Sequence, residues 1–283
     1  MILLTGAAGK TGRAVLKALV SRGLDVRVLV RRREQMDELK KHGAVDALVG
    51  DMVDDEIYQR AMPGIKAIYH ICPNLHPSEI EIGRLAIKGA CEFNLEQFVY
   101  HSVLHPQTEK MPHHWQKLRV EEMLFESDLD FNILQPAPYM QNILAGKDSI
   151  LNQGLYRVPY LKETRLSMLD LVDLGEAAAE VLTDPGHRGA VYEVVGTGGL
   201  SQSEVAADIG KVLGRRIKVE EVPIKEWRRE AQESGIGPYQ LETLAKMFDY
   251  YAHFGLYGSN NVTRWLLRRE PASLTDFINR EFN

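Results

Sequence analysis

The segment Thr5–Gly12, TGAAGKTG, follows the apolar stretch Met1–Leu4 at the start of the chain. Gly6, Gly9 and Gly12 recur at every third position, and the residues after them have the apolar spacing of an amphipathic helix. In a strand–turn–helix unit, such glycines permit the tight turn, the approach of a pyrophosphate and the close packing of the helix. The pattern predicts a dinucleotide-binding turn at the beginning of a parallel sheet.

This segment has two other interpretations. Gly9-Lys10-Thr11 is similar to the end of a nucleoside-triphosphate loop, but that loop requires an earlier glycine at the position of Leu4. Leu4 belongs to the predicted strand, so the loop is too short to enclose a phosphate. A tight turn that binds no ligand is the other alternative, and the glycines alone leave it open.

Apolar segments alternate with helix-like segments through the first half of the chain, which predicts an α/β fold with a doubly wound parallel sheet of the Rossmann type. The predicted strands are Met1–Thr5, Val26–Val30, Ala47–Gly50, Lys66–Ile71, Gln97–Ser102 and Phe131–Gln135. The predicted helices are Lys10–Arg22, Glu34–His42, Asp55–Ala61, Ser78–Phe93 and His113–Ser127. After Pro136 the alternation changes. We therefore expect a dinucleotide-binding domain at residues 1–150 and a smaller α+β substrate lobe, mostly helical and integrated with it, at 151–283.

The composition argues against a nucleic-acid-binding, membrane or disulfide-rich protein. The net charge of −5, with 45% hydrophobic and 26% charged residues, is typical of a soluble globular protein and predicts no nucleic-acid partner. No apolar stretch approaches the roughly 18 residues that a membrane span needs, so no membrane association is expected. Two cysteines are too few for a disulfide framework. A cytoplasmic location is the resulting expectation.

The residues after the second predicted strand bear on the choice of cofactor. Arg31, Arg32 and Arg33 occupy the positions where an acidic residue would bind the ribose 2′-hydroxyl of NAD. A guanidinium can instead bind a 2′-phosphate through two hydrogen bonds. The sequence therefore predicts NADP(H) in preference to NAD(H), with Arg31 the best single candidate. A solvated turn before the next helix is the alternative.

Several motifs together resemble the NmrA-like family of atypical short-chain dehydrogenases/reductases. They are TGAAGKTG, LVRR, LVGDM, HHWQKLRVEEMLFES and LDFNILQPAPYMQNI. The resemblance covers residues 1–200 well and the remainder loosely. It implies a doubly wound sheet with a small C-terminal substrate lobe, and hydride transfer to a small carbonyl or quinone-like acceptor. The family also contains redox sensors without turnover, which bind a protein partner.

The resemblance also implies positions around the cofactor. Gly50–Met52 would border the adenine. Ile71–Pro73 and His101–Val103 would line the path to the nicotinamide, and Pro136–Tyr139 would close over that ring. This agrees with the rule that open α/β sheets bind ligands at the carboxyl ends of their strands. The predicted cofactor-binding residues are Thr5, Gly6, Ala7, Gly9, Lys10, Thr11, Gly12, Arg31, Arg32, Asp51, Met52, Cys72, Pro73, His101, Ser102, Lys117, Pro136 and Tyr139.

The catalytic prediction concerns Ser102, His113 and Lys117. Ordinary members of this superfamily use a Ser together with a Tyr and a Lys spaced Y-x-x-x-K, which places the last two side chains on one helix face. Here Lys117 is retained, but His113 stands where the tyrosine is expected. Either His113 or His114 supplies the proton, or Lys117 is itself the proton shuttle, or the site binds its cofactor without turnover. A solvated helix-start residue is the remaining interpretation of His113.

The sequence also offers candidate residues for substrate binding and histidines to consider as metal ligands. His113, Tyr139, Met140 and Asn142 are the candidate substrate-binding residues, although Met140 could equally fill the core. No metal is predicted, because the spacing of the histidines at 101, 105, 113 and 114 matches no zinc pattern.

Overall fold

A computed structural model describes residues 1–282. Its strands are β1 Ile2–Leu4, β2 Val26–Val30, β3 Asp46–Val49, β4 Ala67–His70, β5 Gln97–His101, β6 Phe131–Pro136, β7 Leu155–Val158, β8 Arg165–Leu166, β9 Val191–Val194, β10 Leu200–Ser201 and β11 Lys218–Glu221. Its α-helices are α1 Lys10–Ser21, α2 Arg33–Lys41, α3 Asp55–Ala61, α4 Glu79–Glu92, α5 Pro112–Phe125, α6 Lys147–Gln153, α7 Leu171–Thr183, α8 Gln202–Leu213, α9 Ile224–Glu233, α10 Pro238–Phe254, α11 Asn261–Leu267 and α12 Leu274–Phe282.

The chain divides into two compact units. The first comprises residues 1–107, 113–136 and 171–192, and the second comprises 108–112, 137–170 and 193–283, of which Asn283 lies outside the described residues. The assignment of cofactor binding to residues 1–150 and substrate binding to 151–283 stays a prediction.

The central sheet confirms the predicted Rossmann-type fold. Within residues 1–282 it has seven strands in the order β3-β2-β1-β4-β5-β6-β9, and the pairs from β3 to β6 are parallel. Strands β1, β4 and β5 are buried along their whole length, which explains their continuous apolar sequence. The seventh strand, β9, follows the predicted strands by more than 50 residues, and its place in this sheet was not predicted.

Helix α7 belongs to the first unit, although it follows the sheet strands by some distance in the sequence. It packs closely on α1 at Gly175, where an added Cβ would lie 2.7 Å from the carbonyl oxygen of Ala14. This close approach requires a glycine. The packing of α7 on α1 was not predicted from the sequence.

The second unit has its own hydrophobic core and two small sheets. Strands β7 and β11 pair in parallel, and β8 and β10 pair antiparallel. Helix α8 begins with a capping box, in which Ser201 Oγ accepts from the Glu204 N–H at 3.2 Å and Glu204 Oε2 accepts from the Ser201 N–H at 2.7 Å. Among residues 1–282, no helix has the length and apolar character needed to span a bilayer.

Candidate cofactor and catalytic site

At two of the three glycines of the turn, Gly6 and Gly12, neighbouring backbone atoms leave no room for a side chain. Gly6 has φ +61°, and a Cβ there would lie 2.8 Å from the Ile71 carbonyl oxygen. A Cβ at Gly12 would lie 2.4 Å from the Gly6 oxygen, so α1 could not keep its approach. A Cβ at Gly9, by contrast, would lie 3.4 Å from its nearest neighbour, the Gly6 carbonyl oxygen, which is an ordinary contact distance. The turn is therefore open at Gly9.

The beginning of α1 fits the diphosphate of a dinucleotide. Gly9 is the N-cap residue and has no side chain to satisfy the first amides of the helix. The first turn contains Lys10, Thr11, Gly12 and Arg13 and carries no acidic residue. The backbone amides at a helix start and the positive end of the helix dipole favour an anion at this position.

Thr5 joins the carboxyl ends of β1 and β4. Its hydroxyl accepts from the Ile71 N–H at 2.8 Å and donates to the Ile71 carbonyl at 3.0 Å. His70 Nδ1 is 3.1 Å from the same hydroxyl, and burial lowers the pKa of His70 to about 4. His70 is therefore neutral at pH 7. Thr5 was predicted as a cofactor residue, whereas His70 was missed.

Lys117 is held by two acceptors at the carboxyl end of β5. Its Nζ donates to Glu79 Oε1 at 2.9 Å and to the His101 carbonyl at 3.1 Å. The Glu79 side chain is only 4% exposed and the Lys117 side chain 14%. The Tyr100 hydroxyl also donates to Glu79 Oε1, at 2.8 Å. The sequence predicted Lys117 and His101 but gave no role to Glu79 or Tyr100.

The pKa shifts around Glu79 describe a cluster with one negative and one positive charge. Burial alone would raise the pKa of Glu79, but the Lys117 charge and hydrogen bonds from Lys117, Tyr100 and Cys72 outweigh it, so this pKa lies below its usual value. Burial, together with the Glu79 charge, raises the pKa of both Tyr100 and Cys72. At neutral pH the phenol and the thiol are therefore uncharged.

Ser102 faces a second buried carboxylate. Its hydroxyl donates a short hydrogen bond to Glu121, and Gln135 Nε2 donates to both Glu121 oxygens at 3.0 Å. Burial raises the pKa of Glu121. The predicted catalytic hydroxyl is thus engaged within the first unit. Glu121 was missed, although it lies four residues after Lys117 and so on the same face of α5.

His113 and His114 lie against each other at the beginning of α5. Their rings are 4.4 Å apart in an edge-to-face arrangement, and His114 Nδ1 is 3.2 Å from the His105 carbonyl. Within the described residues, His113 Nδ1 is buried without a hydrogen-bond partner. Burial lowers the pKa of His113 well below its usual value and that of His114 to about 4. Both imidazoles are neutral at pH 7, and this environment differs from a solvated helix start.

The arginines after β2 are free to bind an anion. Arg31 and Arg32 are exposed, and neither side chain forms an ion pair within the described part of the chain. Arg13 behaves differently, because it donates to both Glu38 oxygens at 2.5 and 2.9 Å and to the Ala8 carbonyl at 3.1 Å. Arg13 thereby links the glycine turn to α2. Sequence reasoning missed it.

The other predicted cofactor residues differ in accessibility. Lys10 and Asp51 are exposed, whereas the Met52 and Cys72 side chains are buried in the core of the first unit. Pro136 ends β6, and its carbonyl accepts from the Leu104 N–H at 2.9 Å. The cofactor contacts of these residues, and of Ala7, Thr11 and Pro73, stay predictions.

Three candidate residues belong to the second unit. Met140 is buried in its core, Asn142 is exposed, and Tyr139 forms an isolated bridge with Leu169. Their roles toward cofactor and substrate stay predictions.

The histidines considered for a metal site do not form one group of ligands. Within residues 1–282, the group whose potential ligand atoms lie within 4.8 Å of one another consists of Glu180, Asp184 and His187. None of these was among the histidines singled out from the sequence. Glu180 is also paired with Arg22 at 2.9 Å.

Comparisons with known proteins agree with this fold. NAD(P)H azoreductase of Xenophilus azovorans is 28% identical over 255 residues, which cover 89% of this chain and 86% of that protein. An NADPH-dependent quinone oxidoreductase of Escherichia coli, solved with NADPH, has a TM-score of 0.87 and 22% identity over 100% of both chains. The negative transcriptional regulator NmrA has a TM-score of 0.80 and 17% identity, covering 99% of this chain and 95% of that one. The family model described as the NmrA-like family matches residues 1–278, and the chain belongs to this family.

Proposed function

We propose that this protein is an NADP(H)-dependent reductase that acts on a small carbonyl or quinone-like acceptor. The observation that carries the proposal is the Lys117 ammonium, held at the carboxyl edge of the sheet whose first strand leads into the open glycine turn. An azoreductase and a quinone oxidoreductase among its relatives support a reductase in particular.

The first unit has suitable groups for each part of the cofactor. The backbone amides at the start of α1 would bind the diphosphate, and the exposed Arg31 and Arg32 would bind a 2′-phosphate. When bound, the reduced nicotinamide supplies a hydride, which carries two electrons to the acceptor.

Lys117 would provide the matching proton. An ammonium has three N–H donors, and Glu79 and His101 engage two of them. The third can donate to a ribose hydroxyl or to the acceptor oxygen, and a proton passed from Nζ completes the reduction that the hydride begins. His113 is neutral at pH 7, so we assign it a hydrogen-bonding role toward the acceptor instead of the role of acid.

A redox sensor that binds a protein partner in one cofactor state is the second candidate. The observation that favours it is the imidazole of His113, which replaces the expected tyrosine and has a depressed pKa. In this alternative, NADP(H) binds without turnover.

The test is the loss of NADPH absorbance with purified protein and a panel of small quinones, enals and aldehydes, with NADH in parallel. We expect turnover that prefers NADPH, and we expect Lys117→Met to lower kcat at least tenfold while NADPH affinity changes little. Arg119→Met, exposed on the same helix, is the control and should keep the wild-type rate. Tight NADPH binding without turnover of any acceptor would favour the sensor, and an unchanged rate in Lys117→Met would exclude the lysine as the proton donor.

A further inference from the structure

We propose that Glu79 is a positioning residue that keeps Lys117 in its ammonium form and aims Nζ toward the carboxyl edge of the sheet. The use of that ammonium in turnover rests on the proposed function. The protonation and orientation of Lys117 do not, and can be tested without any acceptor.

Glu79 occupies an unusual position for a carboxylate. It is the first residue of α4 and lies on the buried face that continues with Ile82, Gly83 and Ala86. Glutamate is rarely buried to this extent unless it is paired. The start of a helix stabilises a negative charge there, because the helix dipole is positive at that end. Glu79 is therefore built into the core as a charged group.

Among residues 1–282, the groups that face Glu79 include one cation, Lys117. Tyr100 approaches from β5, Cys72 from the end of β4 and His70 from within β4, and all three are neutral at pH 7. Lys117 approaches from α5 and carries the compensating charge. The other titratable groups that act on Lys117 are His101 of β5 and His113, His114 and Glu121 of α5. The three imidazoles are neutral at pH 7, and Glu121 is hydrogen-bonded to Ser102 and Gln135. If the carboxylate became an amide, the ammonium would keep its burial but lose the carboxylate that it contacts directly. Burial would then favour the neutral amine, and Lys117 would lose its proton at a lower pH.

The same contacts fix the direction of the side chain. Lys117 Nζ lies 2.9 Å from Glu79 Oε1, 3.1 Å from the His101 carbonyl and 5.2 Å from the centre of the Tyr100 ring. Tyr100 in turn donates to the same Glu79 oxygen, so the carboxylate is itself held in place. Two N–H groups are committed by this arrangement, and the third is directed by their geometry.

A purely structural ion pair is the competing interpretation. It would explain a loss of stability on substitution, but it would not require the protonation of Lys117 to follow the charge at position 79. The decisive readout is therefore the titration of Lys117 itself.

We would measure trace acetylation of Lys117 by peptide mass spectrometry over a pH series, because only the free amine reacts. The full chain is used without added nucleotide, and the exposed Lys66 serves as the internal standard. In Glu79→Gln we expect the midpoint of Lys117 labelling to move at least about one pH unit lower than in the wild type. Glu81→Gln, on the same helix but in an exposed pair with Arg84, should leave the midpoint unchanged. An unchanged midpoint in folded Glu79→Gln would overturn the proposal.

The wild-type protein gives an independent check if Glu79→Gln does not fold. Lys117 is mostly buried, and burial by itself favours the neutral amine. The proposal requires its labelling midpoint to lie at or above that of Lys66, and a midpoint well below that of Lys66 would refute it.

Turnover supplies a further readout. If Lys117 donates a proton, the high-pH limb of the kcat/KM profile should move to lower pH in Glu79→Gln, because less ammonium remains at each pH, and Glu79→Asp should restore part of the shift. A limb that stays in place while the labelling midpoint falls would separate Lys117 protonation from catalysis. If no acceptor is turned over, the proposed function fails while the labelling still decides the role of Glu79.

Discussion

The side chains at positions 31 and 32 differ in surroundings from the nearby Arg13. Arg13 is committed to Glu38 and the Ala8 carbonyl, so its charge is already neutralised. Arg31 and Arg32 are exposed and form no ion pair within residues 1–282. Arg32 has only a backbone role in its helix, since its N–H donates to Gln35 Oε1 at 3.1 Å. These two guanidinium groups are thus available to an incoming phosphate.

We expect the double substitution Arg31→Ala and Arg32→Ala to raise KM for NADPH roughly 10- to 100-fold, since a charge-assisted hydrogen bond contributes about 1.5–3 kcal/mol. KM for NADH, which lacks the 2′-phosphate, should stay within about twofold. Steady-state kinetics with both cofactors measure this. Lys41→Ala, exposed at the other end of α2, is the control and should alter neither value. Equal changes for the two cofactors would contradict the assignment.

At the scale of the element, the strand–turn–helix unit combines two demands on its glycines. Gly12 serves the fold, because α1 passes so close to the turn that a side chain has no room. Gly9 is not required by the fold, because its φ of −75° is accessible to any residue and the space beside it is open. We propose that this space admits the cofactor. An alanine substitution made separately at Gly9 and at Gly12 can distinguish the two roles.

Gly12→Ala should lower the free energy of unfolding by about 1–3 kcal/mol, the usual cost of forcing extra volume into a packed site. Gly9→Ala should leave that free energy within about 0.5 kcal/mol of the wild type, yet weaken NADPH binding, because its methyl group would occupy the approach to the helix amides. Urea unfolding and NADPH titration measure the two effects. Comparable destabilisation by both substitutions would mean that Gly9 is also a packing residue.

At the scale of the whole molecule, sequence reasoning succeeded where the signal is local. Strand β2 and helix α3 begin and end at the predicted residues. A continuous apolar run and an amphipathic segment are both local patterns that can be recognised in the sequence. The addition of β9 beside β6 and the packing of α7 on α1 were not predicted, since they depend on contacts between distant segments.

The candidate site shows the same division. Sequence motifs mark the glycine turn and Lys117, so both were predicted as site residues. Glu79, which holds Lys117, was not predicted. Glu79 is 38 residues from Lys117 in sequence, and only the fold brings them together. A local signal did exist, because a carboxylate on the apolar stripe of α4 is out of place unless it has a partner.

A long-range ion pair within the second unit joins Asp170 to α12. Arg280 donates to the two Asp170 oxygens at 2.7 and 3.2 Å, across 110 positions of sequence, and Gln141 donates to the same carboxylate at 2.8 Å. Asp170 is fully buried, whereas Arg280 is 41% exposed. The guanidinium therefore offsets a charge that water cannot reach.

Arg280→Ala should lower the free energy of unfolding by about 1–3 kcal/mol, because it removes hydrogen bonds to a buried charge. Arg228→Ala, which breaks an exposed pair with Glu242 in the same unit, should cost less than about 1 kcal/mol. Urea unfolding of both variants measures the difference. If the two costs were equal, the burial of Asp170 would have no energetic consequence. A larger cost at Arg280 would show that α12 is fastened by charge as well as by its apolar face, which packs into the second core through Leu274, Phe277 and Ile278.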